Sequence, residues 1–277
     1  MRRIGVVHNP FSQPSIDLAA QVQGWLKAQG VETWVGTSQE GREDISTLSC
    51  LDLLIALGGD GTVLRAARLS LTCGNVPVLP VALGHLNFMA ELQPNELHSG
   101  LESVLRGEFW RDERSLLEAT IHTNGRAPRR QIALNEVVLA RGEINRVMMI
   151  DVEIYHAAFT TYHADGVIVA SATGSTAYAL AAGGPIIDPR SRALVLVPIA
   201  AHLSAVHSLV LHEDAEVTLR LRGRYPAAFV ADGRDPVPLH EGDVVEVRRA
   251  AQTCIFARVH PPSDFYARMP QRLKRDD

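Results

Sequence analysis

Gly58-Gly59-Asp60-Gly61-Thr62 is the segment of this sequence that says most about chemistry. It follows an apolar run, 51–57, and opens a stretch of helical spacing that extends to about residue 71. Backbone amides at a helix start point outward and, with the helix dipole, attract phosphate. Glycines let the backbone approach a ligand without a Cβ in the way. A carboxylate in such a loop is electrostatically awkward. Asp60 becomes useful there if it takes a proton from an attacking hydroxyl or helps to hold a metal ion. The plainer reading is a turn, where Asp-Gly is common. No Gly-Lys-[Ser/Thr] follows, so the segment is not a P-loop, and without GxGxxG nothing speaks for hydride transfer. Arg65, one turn into the helix, is within reach of phosphate. Arg68 reads as an exposed helical arginine.

A second constellation is Asp165-Gly166 followed by Thr173-Gly174-Ser175-Thr176-Ala177-Tyr178-Ala179-Leu180. Small hydroxyl residues at a helix start offer donors and acceptors to a sugar or base, and Tyr178 adds a ring or a hydroxyl. The alternative is a capped core helix ended by Gly183-Gly184-Pro185. A third is Asn135-Glu136, a polar pair inside the strand-like stretch 132–140. Strand alternation sends the two side chains to opposite faces unless the backbone kinks. A buried amide and carboxylate need partners, from a ribose or from a protein network.

These residues must be held by elements that the pattern predicts. The first part alternates strands and helices. A strand at 4–7 leads to a helix capped by Ser15, with Leu18, Val22, Trp25 and Leu26 at helical spacing and Gly30 as its stop. Strands follow at 31–35, 51–57 and 77–83. The third is apolar on both faces, as in a parallel strand covered by helices. The pattern is that of an α/β domain with a doubly wound, mostly parallel sheet. After about Ser115 strands dominate, at 118–123, 132–140, 147–155, 166–170, 217–221 and 244–248. Asn124-Gly125 and Asp232-Gly233 read as hairpin turns. The expected boundaries are 1–115 for the α/β domain, 116–255 for an all-β-rich domain, and 256–277 for a C-terminal segment returning to the first. The charged run 270–277 is expected to fray.

The chain has 277 residues and a net charge of −4, so nothing general favours a nucleic-acid partner. Cys50, Cys73 and Cys254 lie far apart and form no disulfide framework, which fits a reducing cytosol. The apolar run 4–7 is too short for a signal peptide and ends at His8-Asn9-Pro10. The stretch 193–211 lacks Asp, Glu, Lys and Arg, but Pro198, His202, Ser204, His207 and Ser208 interrupt it. It reads as two strands and a buried loop rather than a membrane span.

In order and separation, Gly58-Gly59-Asp60-Gly61-Thr62, Leu134-Asn135-Glu136, Asp165-Gly166 and Gly174-Ser175-Thr176-Ala177-Tyr178 resemble the motif series of NAD kinases, over about residues 4–259. The first motif alone is shared with diacylglycerol and sphingosine kinases. The Gly-Ser-Thr-Ala-Tyr segment and Asn-Glu, in this order, are specific. The resemblance implies transfer of a phosphoryl group from ATP or polyphosphate to the adenosine-ribose 2′-hydroxyl of NAD, forming NADP. It also implies a divalent cation (Mg or Mn), a cytoplasmic homodimer or homotetramer, donor phosphate and glycine motif in the first domain, and NAD binding in the second.

By position, the resemblance makes Asp60 the proton acceptor. It makes Gly58, Gly59, Gly61, Thr62 and Arg65 contacts to the substrates' phosphates. Asn135, Glu136, Asp165, Thr173, Thr176, Ala177, Tyr178, Ala179, Leu180 and Ala181 become NAD contacts. Arg146 and His163 fall where basic or polar ligand contacts are common, Ala200 in a loop that often touches adenosine, and Arg234 where Gln is usual. Ala170-Ser171-Ala172 replaces Ser-Thr-Pro. Asn87 replaces the last glycine of Gly-x-Leu-Gly-Phe, which calls for an unusual φ at Asn87. Ala205-Val206-His207-Ser208 replaces Phe-Arg-Pro and loses a positive charge. Two alternatives stand beside this reading: a lipid kinase of the diacylglycerol kinase type, and a catalytically weak dinucleotide-binding module.

Overall fold

The computed structural model describes residues 1–38, 51–83, 87–142, 147–201, 207–223 and 225–273. The chain forms two compact units, Met1–Glu113 with Cys254–Asp277, and Arg114–Thr253.

The first unit contains β1 (Arg3–His8), α1 (Gln13–Ala28), β2 (Glu32–Thr37), β3 (Leu53–Leu57), α2 (Asp60–Thr72), β4 (Val78–Val81) and α3 (Leu97–Leu105). Its strands pair in parallel in the order β2-β1-β3-β4. Every residue of β3 is buried. Leu53, Ile55 and Leu57 join a core with Ala19, Val22 and Leu26 of α1 and Leu101 of α3. Alternation sends Leu54 and Ala56 to the opposite face. Helices therefore cover the strand on both sides, which is why its sequence is an unbroken apolar run.

The chain order reverses between β1 and β3. Open α/β sheets bind ligands just beyond the strand carboxyl ends at such a switch point. Gly58-Gly59-Asp60 lies there. Ser15 is not the cap of α1, which starts instead with a proline in its first turn, where a missing N–H costs nothing. Ser15 is fully buried. Its hydroxyl donates to the Leu57 carbonyl (2.8 Å) and accepts from the Asn9 amide (3.0 Å). It thus ties together the ends of β1 and β3 immediately before the glycine motif.

The second unit is antiparallel. Along the chain come β5 (Trp110–His122, which begins in the first unit), β6 (Arg129–Ala133), β7 (Glu136–Arg141), β8 (Met148–Ile154), β9 (Ala157–Ala164), β10 (Gly166–Ser171), α4 (Tyr178–Ala181), β11 (Leu194–Ile199), β12 (Leu209–Leu211), β13 (Val217–Arg222), β14 (Ala227–Ala231), β15 (Val237–Leu239) and β16 (Val244–Arg258). One sheet runs β12-β11-β10-β7-β14-β15; in the other, β16, β13, β8 and β9 pair in turn, with β5 beside β16 and β6 beside β5. The two share a core that includes Leu117, Ile150, Tyr162, Val169, Leu196 and Phe229. The far face of the first sheet packs Val138, Ile168, Val195 and Val197 against Ala179 of α4. This explains the continuous apolar runs of β10 and β11.

Several expectations change. The stretch 132–140 is two strands, β6 and β7, which belong to different sheets and bend apart at Leu134-Asn135. Strand β9 carries no apolar alternation because most of its residues are exposed. The segment 193–211 does form two strands, but Ala200 and His207 are exposed, so the described part of its loop is not buried; 202–206 lie outside the described residues. No described helix is long and apolar enough to cross a membrane. After α5 (Asp264–Ala267), the start of the charged run 270–277 is helical rather than frayed, within α6 (Met269–Leu273), and 274–277 lie outside the described residues.

Candidate active site

Gly58 has φ +152°, and a Cβ there would meet the Thr62 hydroxyl at 2.5 Å. Only glycine fits on both counts. Its amide donates to the Val81 carbonyl (3.0 Å), which anchors the loop to β4. Beyond its chain neighbours and its own helix backbone, a Cβ at Gly59 or Gly61 would meet no atom of the described residues within 4 Å, so the loop surface is open among them. Asp60 is the first residue of α2 and half-buried. Burial pushes its carboxyl up to about 6, against a hydrogen bond from the Met89 amide and the attraction of Arg272. Its Oδ1 is buried without a hydrogen-bond partner among the described residues. A carboxylate whose proton affinity is tuned toward working pH suits general-base chemistry. Thr62 is buried, and Arg65 reaches the Ser38 hydroxyl at 3.3 Å.

In the second unit the bend at 134–136 is held by Asp232. Its carboxylate accepts the amides of Leu134 (2.9 Å), Asn135 (2.9 Å) and Glu136 (3.4 Å). Its own amide donates to the Glu136 carbonyl (3.0 Å). Asp232 and Gly233 have φ +48° and +65°, the left-handed conformations of a tight turn. Sequence reasoning saw only the turn. The usable signal was that aspartate accepts backbone amides at such turns. Burial pushes the Glu136 carboxyl up to about 7, helped by the Asp232 charge and opposed by a hydrogen bond from the Tyr178 amide. Asn135 Oδ1 and Glu136 Oε2 are buried and have no hydrogen-bond partner. Half of the alternative reading holds. A protein network fixes the backbone, yet it leaves these side-chain acceptors unsatisfied.

The same bend is fastened to the 171–178 turn. The Ser171 amide donates to the Asn135 carbonyl (2.8 Å), and the Ser171 hydroxyl donates to the Leu134 carbonyl (2.5 Å) while accepting the Gly174 amide (3.1 Å). Arg114, buried and unnoticed in the sequence, donates to Thr173 Oγ1 (3.3 Å). Thr176 Oγ1 donates to the Thr173 carbonyl (3.1 Å). The expected single helix is instead a 3₁₀ turn, Gly174–Thr176, and the short α4, separated at Ala177 by φ −100° and ψ −126°. Neither piece has a side-chain cap. Ala177 and Leu180 are half-buried, Ala181 is exposed, and the Ala179 methyl is fully buried against the sheet. Tyr178 keeps 45% of its surface exposed, enough to offer a ring face. Ala170 and Ala172 are buried where the resemblance led to Ser and Pro, so these departures sit in the core.

The remaining residues divide. Arg234 sits with the bend. Its guanidinium donates to the Ala231 carbonyl (3.0 Å) and the Ile132 carbonyl (2.6 Å). Asp165 pairs with Arg141 at 2.7 Å, and its amide donates to the Ile199 carbonyl beside Ala200. Ala200 is exposed with φ +47°, and His163 is exposed on β9. Asp165 and Ala200 lie at one end of β10, and Ser171 with Asn135-Glu136 at the other, some ~20 Å apart at ~3.3 Å per residue. Arg146 lies outside the described residues. Asn87 is not among the positive-φ residues. Its Oδ1 accepts the Ala90 amide (2.7 Å), so its side chain closes the turn locally. Among the described residues no group of three His, Cys, Asp or Glu is arranged to hold a metal ion.

A glycine-rich helix start open to phosphate, carrying a half-buried carboxylate of raised proton affinity, is the arrangement of a phosphotransferase. Residues 37–109 match the ATP-NAD kinase N-terminal domain, and residues 134–259 the ATP-NAD kinase C-terminal domain. The NAD kinase of Chloroflexus aggregans is 54% identical over 275 residues, covering 99% of both chains. Yeast NADH kinase complexed with NADH superposes with a TM-score of 0.82 at 21% identity, over 100% of this chain and 89% of that one. An NAD kinase from Archaeoglobus fulgidus in complex with ATP gives 0.76 at 20% identity, over 98% of each. The chain belongs to the NAD kinase family.

Proposed function

We propose that this chain transfers a phosphoryl group from ATP or polyphosphate to the adenosine-ribose 2′-hydroxyl of NAD, yielding NADP. The observation that carries the reading is Asp60. It is a half-buried carboxylate at a helix N-terminus, behind an open glycine loop, with its Oδ1 buried and unpartnered among the described residues. Asp60 accepts the hydroxyl proton as the ribose oxygen bonds to the terminal phosphorus and the shortened phosphate chain leaves with the electron pair. Positioning and charge neutralisation supply most of the remaining rate. The amides at the start of α2 take phosphate oxygens. Asn135 Oδ1 and Glu136 Oε2, buried without partners, accept hydroxyl donors of the nucleotide. The exposed Tyr178 ring stacks on its base.

A divalent cation, Mg or Mn, fits this site as a group carried by the donor's phosphate oxygens, since Mg is commonly bound through substrate phosphates with few protein ligands. When bound it neutralises donor charge. The chain acts as a homodimer or homotetramer in the cytoplasm. In support, β9 and β12 end their sheets with exposed Phe159 and Val210, and Cys73 and Cys254 are buried. Sedimentation at micromolar concentration checks the assembly; an active monomer contradicts it. No finding supports the lipid-kinase alternative. The deciding experiment is NADP formation from NAD and from its 2′-deoxyadenosine analogue. The analogue is expected to bind comparably and accept no phosphate. Phosphate transferred to any other position of NAD overturns the reading.

A further inference from the structure

The turn that touches Asp60 is gripped from the C-terminal segment of the same unit. Met89 donates its amide to Asp60. Arg258 donates to the Met89 carbonyl (2.9 Å) and Arg272, on α6, to the Ala90 carbonyl (3.2 Å). Glu91 then accepts the amides of Val259 (2.8 Å) and His260 (2.7 Å). The two arginines differ in how their charge is met. Arg258 is paired with Glu91 and Asp112, both at 3.1 Å. Arg272 spends its NH2 group on a neutral carbonyl, and its Nε is buried with no hydrogen-bond partner. Its environment holds Asp264 and Glu91 in attraction and Arg258 and Arg268 in repulsion. Burial and these like charges bring its guanidinium down to about 10, so it stays a cation at neutral pH. A guanidinium whose role was only to tie a loop needs no such half-compensated burial. The Asp60 carboxylate, which takes the Met89 amide of the turn that Arg272 holds, also feels the Arg272 charge.

We propose that Arg272 is a positioning residue for Asp60: from the C-terminal helix, its guanidinium holds the Ala90 carbonyl and so fixes the Met89-Ala90 turn against the Asp60 carboxylate. The proposal rests on Asp60 being the base, and its chemistry is plain. A neighbouring cation lowers the cost of a buried carboxylate's charge, so the base is unprotonated at a lower pH. Arg272 acts through Asp60 and takes no proton itself.

The test compares Arg272→Gln and Arg272→Lys in the full chain. The readouts are the pH profile of kcat for NADP formation and the Asp60 carboxyl titration by 13C NMR in the free protein. Arg272→Gln is expected to move the acid limb and the NMR titration upward together by about 0.5–1 pH unit. Activity then falls more at pH 6 than at pH 8. Arg272→Lys, which keeps the charge, is expected to hold both near wild type. An equal loss at every pH with an unmoved Asp60 titration makes Arg272 a structural residue and overturns the proposal. Arg272→Met replaces Arg272→Gln if the latter does not fold, and loss of fold in both overturns it too. Asp60→Asn is measured alongside. If it retains turnover, the base assignment fails and the proposal with it. If it is inactive while the Arg272→Gln limb stays put, only the role of Arg272 fails.

Discussion

A Cβ at residue 174 would stand 2.0 Å from the carbonyl oxygen of Asn135. Gly174 and Asn135 belong to motifs far apart in sequence, yet their backbones are in direct contact. The Ser171 hydroxyl, bonded to both the Leu134 carbonyl and the Gly174 amide, closes the same junction. The 134–136 bend and the 171–178 turn thus meet in one backbone junction within the second unit.

Gly174→Ala is therefore expected to destabilise the protein by at least ~1–3 kcal/mol, because the obstructing atom is backbone and cannot swing away. NAD affinity is expected to fall at least tenfold as the bend at 134–136 is displaced. Thermal melting and calorimetric titration with NAD check this. A variant with wild-type melting and affinity contradicts the contact.

Asp60→Asn is expected to lower NADP formation by ~10²–10⁴-fold with NAD affinity little changed. The amide keeps the size and loses the basicity. The measurement is turnover at saturating NAD beside calorimetric affinity. A folded variant with near-wild-type turnover refutes the assignment.

The pH dependence follows from the carboxyl held up to about 6 by burial, with the Met89 amide and Arg272 pulling the other way. A base works unprotonated, so turnover is expected to be flat near pH 8 and to drop as pH falls through about 6, approaching tenfold per unit below it. A kcat profile at saturating substrates checks this. An acid limb near the ordinary aspartate value of ~4 shows that burial does not tune this group.

Glu136→Gln is expected to stabilise the unliganded protein and weaken NAD binding. The Glu136 carboxyl is held up to about 7 by burial and by Asp232. The folded state then binds the proton more tightly than the unfolded one. The native carboxylate's penalty is absent below the unfolded pKa, grows as pH rises from there through about 7, and is complete above it. The gain from Gln is expected to be on the order of 1 kcal/mol at pH 8 and to vanish near pH 4. Affinity for NAD is expected to fall by ~1.5–3 kcal/mol through loss of a charged acceptor. Denaturant melts at both pH values and NAD titrations test the pair of effects. A destabilised variant at pH 8 contradicts the assigned cause.

Local pattern alone determined a good deal here. The apolar run of β3, the glycines after it and Asp60 at the helix start are neighbours in the chain. Their meaning needs only hydrogen-bonding and steric rules that act over a few residues. The β-rich character of the second part was legible in the same way, through alternation in β13 and hairpin glycines. Tertiary structure decided the rest. Ser15 became a bolt between two strand ends because a proline already began its helix. The stretch 132–140 became two strands because its halves are claimed by different sheets. Arg114 and Arg272 carry no local signal, and the turn signal at Asp232 does not say which amides it takes, since their partners lie tens to hundreds of residues away. Burial decides proton affinity, and burial is a property of the packed chain. The ordinary carboxyls of Asp60 and Glu136 acquire their raised values, and with them their chemical use, only once the fold has closed around them.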